Sequence, residues 1–300
     1  MPSAEHEAIV RALQNATPPV DPTLDQMREN YDRLLVPFDP DGGTTVTSES
    51  AGDVGVELIS APGTDPAKTV VFVHGGGYVL GSVRAYREYA GRVSAATGSR
   101  VALVDYRRAP EAVAPAARDD CVTAYAWLID NGADPARTSL IGDSAGGGLA
   151  LVVTAWLARS ELPTPAAVVG LSAWIDVGVR ADMPDEKQTG DPMLTPGGLR
   201  WFGETYLSGA AGDDPEHNAL YADLTGMPPT LLQTGTRDVA HQDSVLFAER
   251  AKAASVLVEL DVYDGLIHDW HAFGPGLPEG RAALARVGAF LGAHAGGRGA

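Results

Sequence analysis

A serine framed by glycines stands at Ile141-Gly142-Asp143-Ser144-Ala145-Gly146-Gly147-Gly148, directly after one apolar run and directly before another. A sharp strand-to-helix turn forces its central residue into a strained backbone conformation, and small neighbours permit the close approach this requires. The hydroxyl then stands exposed at a helix N-terminus, where backbone N–H groups favour developing negative charge. The chemistry this suits is attack on an acyl carbonyl, with Ser144 as nucleophile. A merely structural turn is the competing reading, and the five-residue pattern alone would not exclude it. Strand before, helix after and three glycines following favour the nucleophile.

Acyl transfer passes through an oxyanion, which needs preorganised N–H donors. His74-Gly75-Gly76-Gly77-Tyr78 ends the run Thr69 to Val73. Glycines lacking Cβ let such a loop bring its N–H groups close to the oxygen, so Gly76 and Gly77, with Ala145 after the serine, are the expected oxyanion hole. A phosphate-cradling loop is the alternative, but no Lys follows and no G-x-G-x-x-G spacing exists. His74 reads as a residue that shapes the loop.

The serine needs a base, and the base an orienting acid. Of seven histidines, His6 and His294 lie near the ends and His217 in an irregular region. The chain order Ser, acid, His points downstream, to His241, His268 and His271. His268 falls in a loop beyond the last strand-like run, His271 lies close to it, and His241 begins a helix. Asp238, just after the run Thr230 to Thr234, is the expected acid, with Asp243 in the next helix as runner-up.

Seven apolar runs position these residues: Val54–Ser60, Thr69–Val73, Arg100–Asp105, Thr138–Ile141, Ala166–Leu171, Thr230–Thr234 and Val256–Tyr263. Most are continuous rather than alternating, as in strands buried on both faces of a parallel sheet. Helical segments lie between them, at Arg84–Thr97, Pro115–Asn131, Ala145–Ser160, Gln242–Ala254 and Gly280–His294. The pattern is α/β, with crossover helices on both faces. Two regions break it, residues 1–40 and 177–217. The second carries Met183, Met193, Leu194, Leu199, Trp201, Phe202, Tyr206 and Leu207, apolar weight that suits a lid more than an ordinary surface subdomain. The expected division is therefore an N-terminal cap segment (1–40), a first core part (41–176), a cap insertion (177–217) and a second core part (218–300). Tyr78, Trp201, Phe202 and Tyr206 are the expected substrate-binding residues.

The net charge of -17 repels nucleic-acid phosphates and anionic lipid headgroups, so neither is an expected partner. Cys121, the single cysteine, excludes an intrachain disulfide and a cysteine metal site, and reads as a small buried filler rather than a reactive thiol. The acidic N-terminus lacks an apolar signal core, and no apolar stretch is long enough to span a bilayer. No membrane insertion and a cytoplasmic location are the expectations.

These motifs together resemble the hormone-sensitive-lipase-like esterases (bacterial family IV) of the α/β-hydrolase superfamily, over roughly Thr69 to the C-terminus. Asp105-Tyr106-Arg107-Arg108-Ala109-Pro110-Glu111 is similar to that family's DYRLAPE segment, and Leu171-Ser172-Ala173-Trp174-Ile175-Asp176 to its LSPWTDL segment. Gly265-Leu266-Ile267-His268-Asp269-Trp270-His271-Ala272-Phe273 is similar to its G-x-x-H-G-F stretch, which favours His268 over His271, and Asp238 matches the family's acid. Gly148, Arg108, Ala112 and Ala173 depart from the family pattern. The resemblance implies an α/β-hydrolase fold: a mostly parallel eight-stranded sheet flanked by helices, with a helical cap.

The expected function is a serine carboxylesterase acting on short- to medium-chain esters through an acyl-enzyme, with no metal and no cofactor. Leu220 to Pro229 is similar to members that open lactones, including monoterpene ε-lactone hydrolases, which makes lactone hydrolysis the alternative. A non-catalytic ligand receptor and a lyase on the same fold are rivals from other classes. The expected partner is a small-molecule ester or lactone; a homodimer is left open.

Overall fold

The computed structural model describes residues 1–16, 20–37, 39 and 42–295. Its eight strands are β1 (Thr45–Ala51), β2 (Val54–Ser60), β3 (Asp65–Val73), β4 (Ser99–Asp105), β5 (Thr138–Asp143), β6 (Ala167–Leu171), β7 (Thr230–Gly235) and β8 (Val258–Tyr263). They form one sheet in the order β1-β2-β4-β3-β5-β6-β7-β8. β2 pairs antiparallel with β1 and β4, and the other pairs are parallel. This is a mostly parallel eight-stranded sheet flanked by helices, as the sequence resemblance implies.

The strand β1 was not legible as an apolar run. Its sequence TVTSESA is mostly exposed, and it survives as the outer half of a hairpin whose Ala51 pairs with Val54. Backbone pairing needs no apolar face at a sheet edge, so such a strand carries little hydrophobic signal.

Both faces of the central strands are buried. Val71, Val73, Ala102 and Val104 meet one face's core, with Ala124 and Leu128 of α4 (Ala116–Asp130), Leu151 of α5 (Ser144–Leu157) and Phe247 of α8 (His241–Ala253). Val70, Phe72, Val101 and Leu103 meet the other, with Tyr89 and Val93 of α3 (Val83–Thr97) and Val287 and Phe290 of α9 (Pro278–His294). The period of two along each strand thus divides side chains between two helix layers. Cys121 is fully buried in the first core, and burial pushes its thiol pKa up.

The helix α5 explains how the serine is held. It opens Ser-Ala-Gly-Gly-Gly, and each interior Gly costs about 1 kcal/mol against Ala. Buried Leu149, Leu151, Val152, Val153 and Leu157 contribute about 1.5–3 kcal/mol each and offset that cost. The glycines answer to close approach: a Cβ on Gly146 would run into the carbonyl oxygens of Val73 and His74, and one on Gly142 into the Gly146 carbonyl. These obstacles are backbone and cannot swing aside. Gly146→Ala is expected to destabilise the protein by about 3 kcal/mol or more, seen as a Tm lower by about 5 °C or more in a thermal melt.

The chain ahead of β1 contributes α1 (Ala4–Asn15) and α2 (Leu24–Asp32). Ser3 donates from its backbone N–H and its hydroxyl to the Glu279 carboxylate, at 2.5 and 2.9 Å. Arg28 of α2 forks onto Glu111 at 2.7 Å and donates to the carbonyls of Val79 and Ala109. Between β6 and β7 lie the short α6 (Glu186–Thr189) and α7 (Pro196–Leu207). The start of that stretch is pinned by Asp243, whose carboxylate accepts from the N–H groups of Ile175 and Asp176 and from Arg180 at 2.6 Å. Among the described residues no helix is long and apolar enough to cross a membrane.

Candidate active site

The strand β5 ends at Asp143 and α5 begins at Ser144, so the serine occupies the turn itself, at a left-handed φ of 51°. Non-glycine residues rarely adopt such a φ, and when they do at a turn the strain is imposed by the surrounding structure. Fixed obstacles on either side, the carbonyls that meet Gly142 and Gly146, supply that constraint here. Asp238 leaves the end of β7, its Oδ1 accepting from the Ala240 N–H at 2.7 Å. His268 lies in the loop after β8. Its Nε2 is 2.8 Å from the Ser144 hydroxyl oxygen and its Nδ1 is 3.0 Å from Asp238 Oδ2. The three side chains, far apart in sequence, form one hydrogen-bonded series.

Burial works against a charged His268. Asp238 in contact, with Asp191 and Asp143 behind it, outweighs that effect, and the pKa lies above the usual 6.5. The other candidates have different partners. His271 is fully buried with Nε2 3.1 Å from Gln233 Oε1, and burial holds its pKa well down. His241 sits 3.2 Å from the Thr234 hydroxyl. Asp243, the runner-up acid, is occupied with Arg180 and two backbone N–H groups.

Gly76 and Gly77 face Ser144 across one cavity. Both have left-handed backbones, with φ 104° and 64°. A Cβ on Gly76 would lie 2.5 Å from the Leu80 carbonyl oxygen, and one on Gly77 would lie 2.5 Å from the Phe202 ring. Only glycine leaves room for both the turn and that ring. Among the described residues no hydrogen bond outside helices and strands is donated by the N–H of Gly76 or Gly77. The Ala145 N–H is in the first turn of α5, where no intrahelical acceptor exists. His74 is fully buried, stacked on Tyr106 with its Nδ1 2.8 Å from the Gly75 carbonyl, and burial lowers its pKa to about 4. It is a neutral support of the loop.

The cavity holds about 810 Å³. Its wall draws on both irregular regions: Leu13, Met27, Tyr31 and Leu34 from the first, and Met193, Leu194, Leu199 and Phe202 from the second. Of the four aromatic residues expected at the substrate, the structure brings Phe202 to this wall. Tyr78 and Tyr206 stack on each other at 3.9 Å with both rings buried, forming a support behind the cavity rather than its surface. Trp201 is 42% exposed and meets Phe202 edge-on from outside. On a helix, adjacent residues point about 100° apart, so Trp201 and Phe202 cannot both face inward.

Asp191, unforeseen from the sequence, is nearly buried beside the acid. Its Oδ2 accepts from the Val239 N–H at 3.2 Å and its Oδ1 from the Met193 N–H at 2.8 Å. It ties the cavity wall at residues 192–194 to the turn carrying Asp238. Burial, then the negative charge of Asp238, raise its pKa to about 6. The Gly190-Asp191-Pro192 sequence signals a turn and nothing more.

A serine hydroxyl bonded to a histidine that is bonded in turn to a carboxylate, beside unengaged N–H groups and opening on an apolar cavity, has the geometry to transfer an acyl group to water. The family model described as alpha/beta hydrolase fold matches residues 70–272. An acetyl-hydrolase of Streptomyces hygroscopicus is 36% identical over 270 residues, covering 89% of this chain and 87% of the relative. An ethyl acetate hydrolase of Pseudomonas putida is 30% identical, covering 81% and 79%. A solved esterase from the bacterial hormone-sensitive lipase family has a TM-score of 0.93 at 37% identity, covering 98% of this chain and 99% of that one.

Proposed function

We propose that this chain, which belongs to the hormone-sensitive-lipase-like branch of the α/β-hydrolase family and is a carboxylic ester hydrolase, cleaves short- to medium-chain esters through an acyl-enzyme on Ser144. The observation that carries this reading is the series Ser144–His268–Asp238 at 2.8 and 3.0 Å, opening on the apolar cavity. His268 takes the Ser144 proton as the hydroxyl attacks the carbonyl. Gly76, Gly77 and Ala145 N–H groups receive the oxyanion, and Asp238 stabilises the imidazolium. The proton then passes to the departing alcohol, and water repeats the sequence on the acyl-enzyme. Residues 1–40 and 177–217 act as the cap that supplies the apolar wall.

Two names among the relatives, acetyl-hydrolase and ethyl acetate hydrolase, support the small acyl end of the range. The test is turnover of p-nitrophenyl esters from acetate to decanoate, with a set of lactones, and mass-spectrometric mapping of a fluorophosphonate label. The expected result is a maximum at short to medium chains and the label on Ser144. Activity confined to long-chain triglycerides, or a label elsewhere, would overturn the reading. A maximum on lactones would move the substrate and keep the mechanism.

The pH dependence follows from the base. His268 must be neutral to accept a proton, and its pKa lies above 6.5. Lowering the pH through that value charges the ring, so kcat/KM is expected to fall about tenfold per pH unit on the acid side. A profile of initial rates that stays flat below about pH 6 would contradict this assignment.

A further inference from the structure

Behind the site lies a second pair of acids. Asp143 immediately precedes Ser144, and Asp269 immediately follows His268. Both are buried, the residues they flank lie 2.8 Å apart, and each acid is among the groups that shift the other's pKa. Two carboxylates buried side by side repel each other, and one proton held between them relieves that repulsion.

The neighbours decide where that proton resides. Asp143 Oδ1 accepts from the Gly75 N–H at 3.1 Å, and Oδ2 accepts from the Tyr86 hydroxyl at 2.8 Å. Tyr86 in turn lies 2.8 Å from the Tyr31 hydroxyl of α2. Two donors suit a carboxylate at Asp143. The Asp269 carboxyl has no such supply: its Oδ1 is buried without a partner, 3.8 Å from His271 Nδ1. Arg92, the nearby cation on α3, is engaged by the carbonyls of His271 and Ala272. Burial, with Asp143 beside it, also pushes the Asp269 pKa well up.

We propose that Asp269 carries the proton of this pair, donates it as a hydrogen bond to Asp143, and so acts as a positioning residue that locks the His268 loop to the serine turn. Three parts of the site meet there: the Gly75–Gly77 loop through the Gly75 N–H, the serine turn through Asp143, and the His268 loop through Asp269. The Asp269 backbone is left-handed, at φ 51°, and its N–H donates to the Ser172 hydroxyl at 3.0 Å. The groups facing the pair are Tyr31, Tyr86, Tyr89 and Arg92 from the helices, Asp238 after β7, and His268 and His271 of the loop itself. Loss of the shared proton at high pH leaves two adjacent negative charges, which drive the serine turn and the His268 loop apart.

The kinetic arm of the test rests on the reading of Ser144 and His268 proposed above; the spectroscopic arm does not. Infrared difference spectra in H2O and D2O are expected to show a protonated, buried carboxyl in the wild type at neutral pH that is missing in Asp269→Asn. Asparagine keeps a donor toward Asp143 and cannot titrate, so this variant should retain kcat within about threefold while its alkaline limb moves to higher pH. Asp269→Gly accepts the left-handed backbone and removes the bond, and its kcat should fall about tenfold with less change in KM. Absence of the carboxyl band in the wild type overturns the proposal. So do two variants that both keep the wild-type kcat and alkaline limb. A band without any ester turnover would sink the esterase mechanism and leave the pair standing.

Discussion

Ser144→Ala is expected to lower kcat by about 10⁴- to 10⁶-fold while KM changes little, because the hydroxyl is the bond-forming atom and not a binding contact. The cavity wall is made by Met27, Leu34, Leu194 and Phe202, among others, and none of these is disturbed by removing one oxygen. The fold should not suffer. Ser144 holds a left-handed φ of 51°, and alanine meets the same backbone cost as serine there. A thermal melt within a few degrees of the wild type is therefore expected alongside the kinetic loss, which separates chemistry from collapse. Residual turnover should remain above background, since the N–H groups of Gly76, Gly77 and Ala145 still meet the oxyanion. Burst-phase release of p-nitrophenol should vanish. A variant within tenfold of wild-type kcat would remove Ser144 from the mechanism.

The site residues that are legible in the sequence are those whose positions are written in local turn chemistry. Ser144 stands between an apolar strand and an apolar helix, Gly76 and Gly77 at a strand end, and Asp238 one turn beyond another, so the backbone pattern fixes where each emerges. His268 was narrower, because His271 shares its loop, and the sequence pattern rather than physics separated them. The structure brings Ser144, Asp238 and His268 into bonding distance.

The cavity wall was much less legible. A helix such as α7 presents several apolar residues, and only its docking angle decides which face the substrate. Phe202 points in, Trp201 points out, and Tyr206 is spent on Tyr78. The acids Asp191, Asp143 and Asp269 escaped for a related reason. Each is one carboxylate among 39 acidic residues, and a solvated role is the ordinary one. What sets them apart is burial beside another acid, Asp191 near Asp238 and Asp143 near Asp269, a property of the packed chain and not of any spacing.

Asp238→Asn should cost nearly as much as loss of the serine, and the reason lies in the other oxygen of the carboxylate. Asp238 Oδ1 accepts from the Ala240 N–H at 2.7 Å, while Oδ2 faces His268 Nδ1 at 3.0 Å. An asparagine must keep its carbonyl oxygen toward Ala240, since an amide NH2 there would set donor against donor. Its NH2 is thereby turned onto His268 Nδ1, which must accept. The ring proton then moves to Nε2, the atom 2.8 Å from the Ser144 hydroxyl, and a protonated Nε2 cannot take the serine's proton. The expected loss in kcat is about 10⁴-fold, as for the wrong tautomer in other triads, with the fold retained because the substitution is isosteric. Asp191→Asn offers the contrast. That carboxylate does not touch His268; it accepts from the N–H groups of Val239 and Met193. Its charge raises the His268 pKa from a distance, so neutralising it should move the acid limb of kcat/KM to lower pH; the amide NH2 meets one of those N–H groups donor to donor and lowers the Tm, but kcat should fall far less than in Asp238→Asn. If the two asparagine variants lost activity equally, the orienting role would belong to the cluster of acids as a whole, and the tautomer argument for Asp238 would fail.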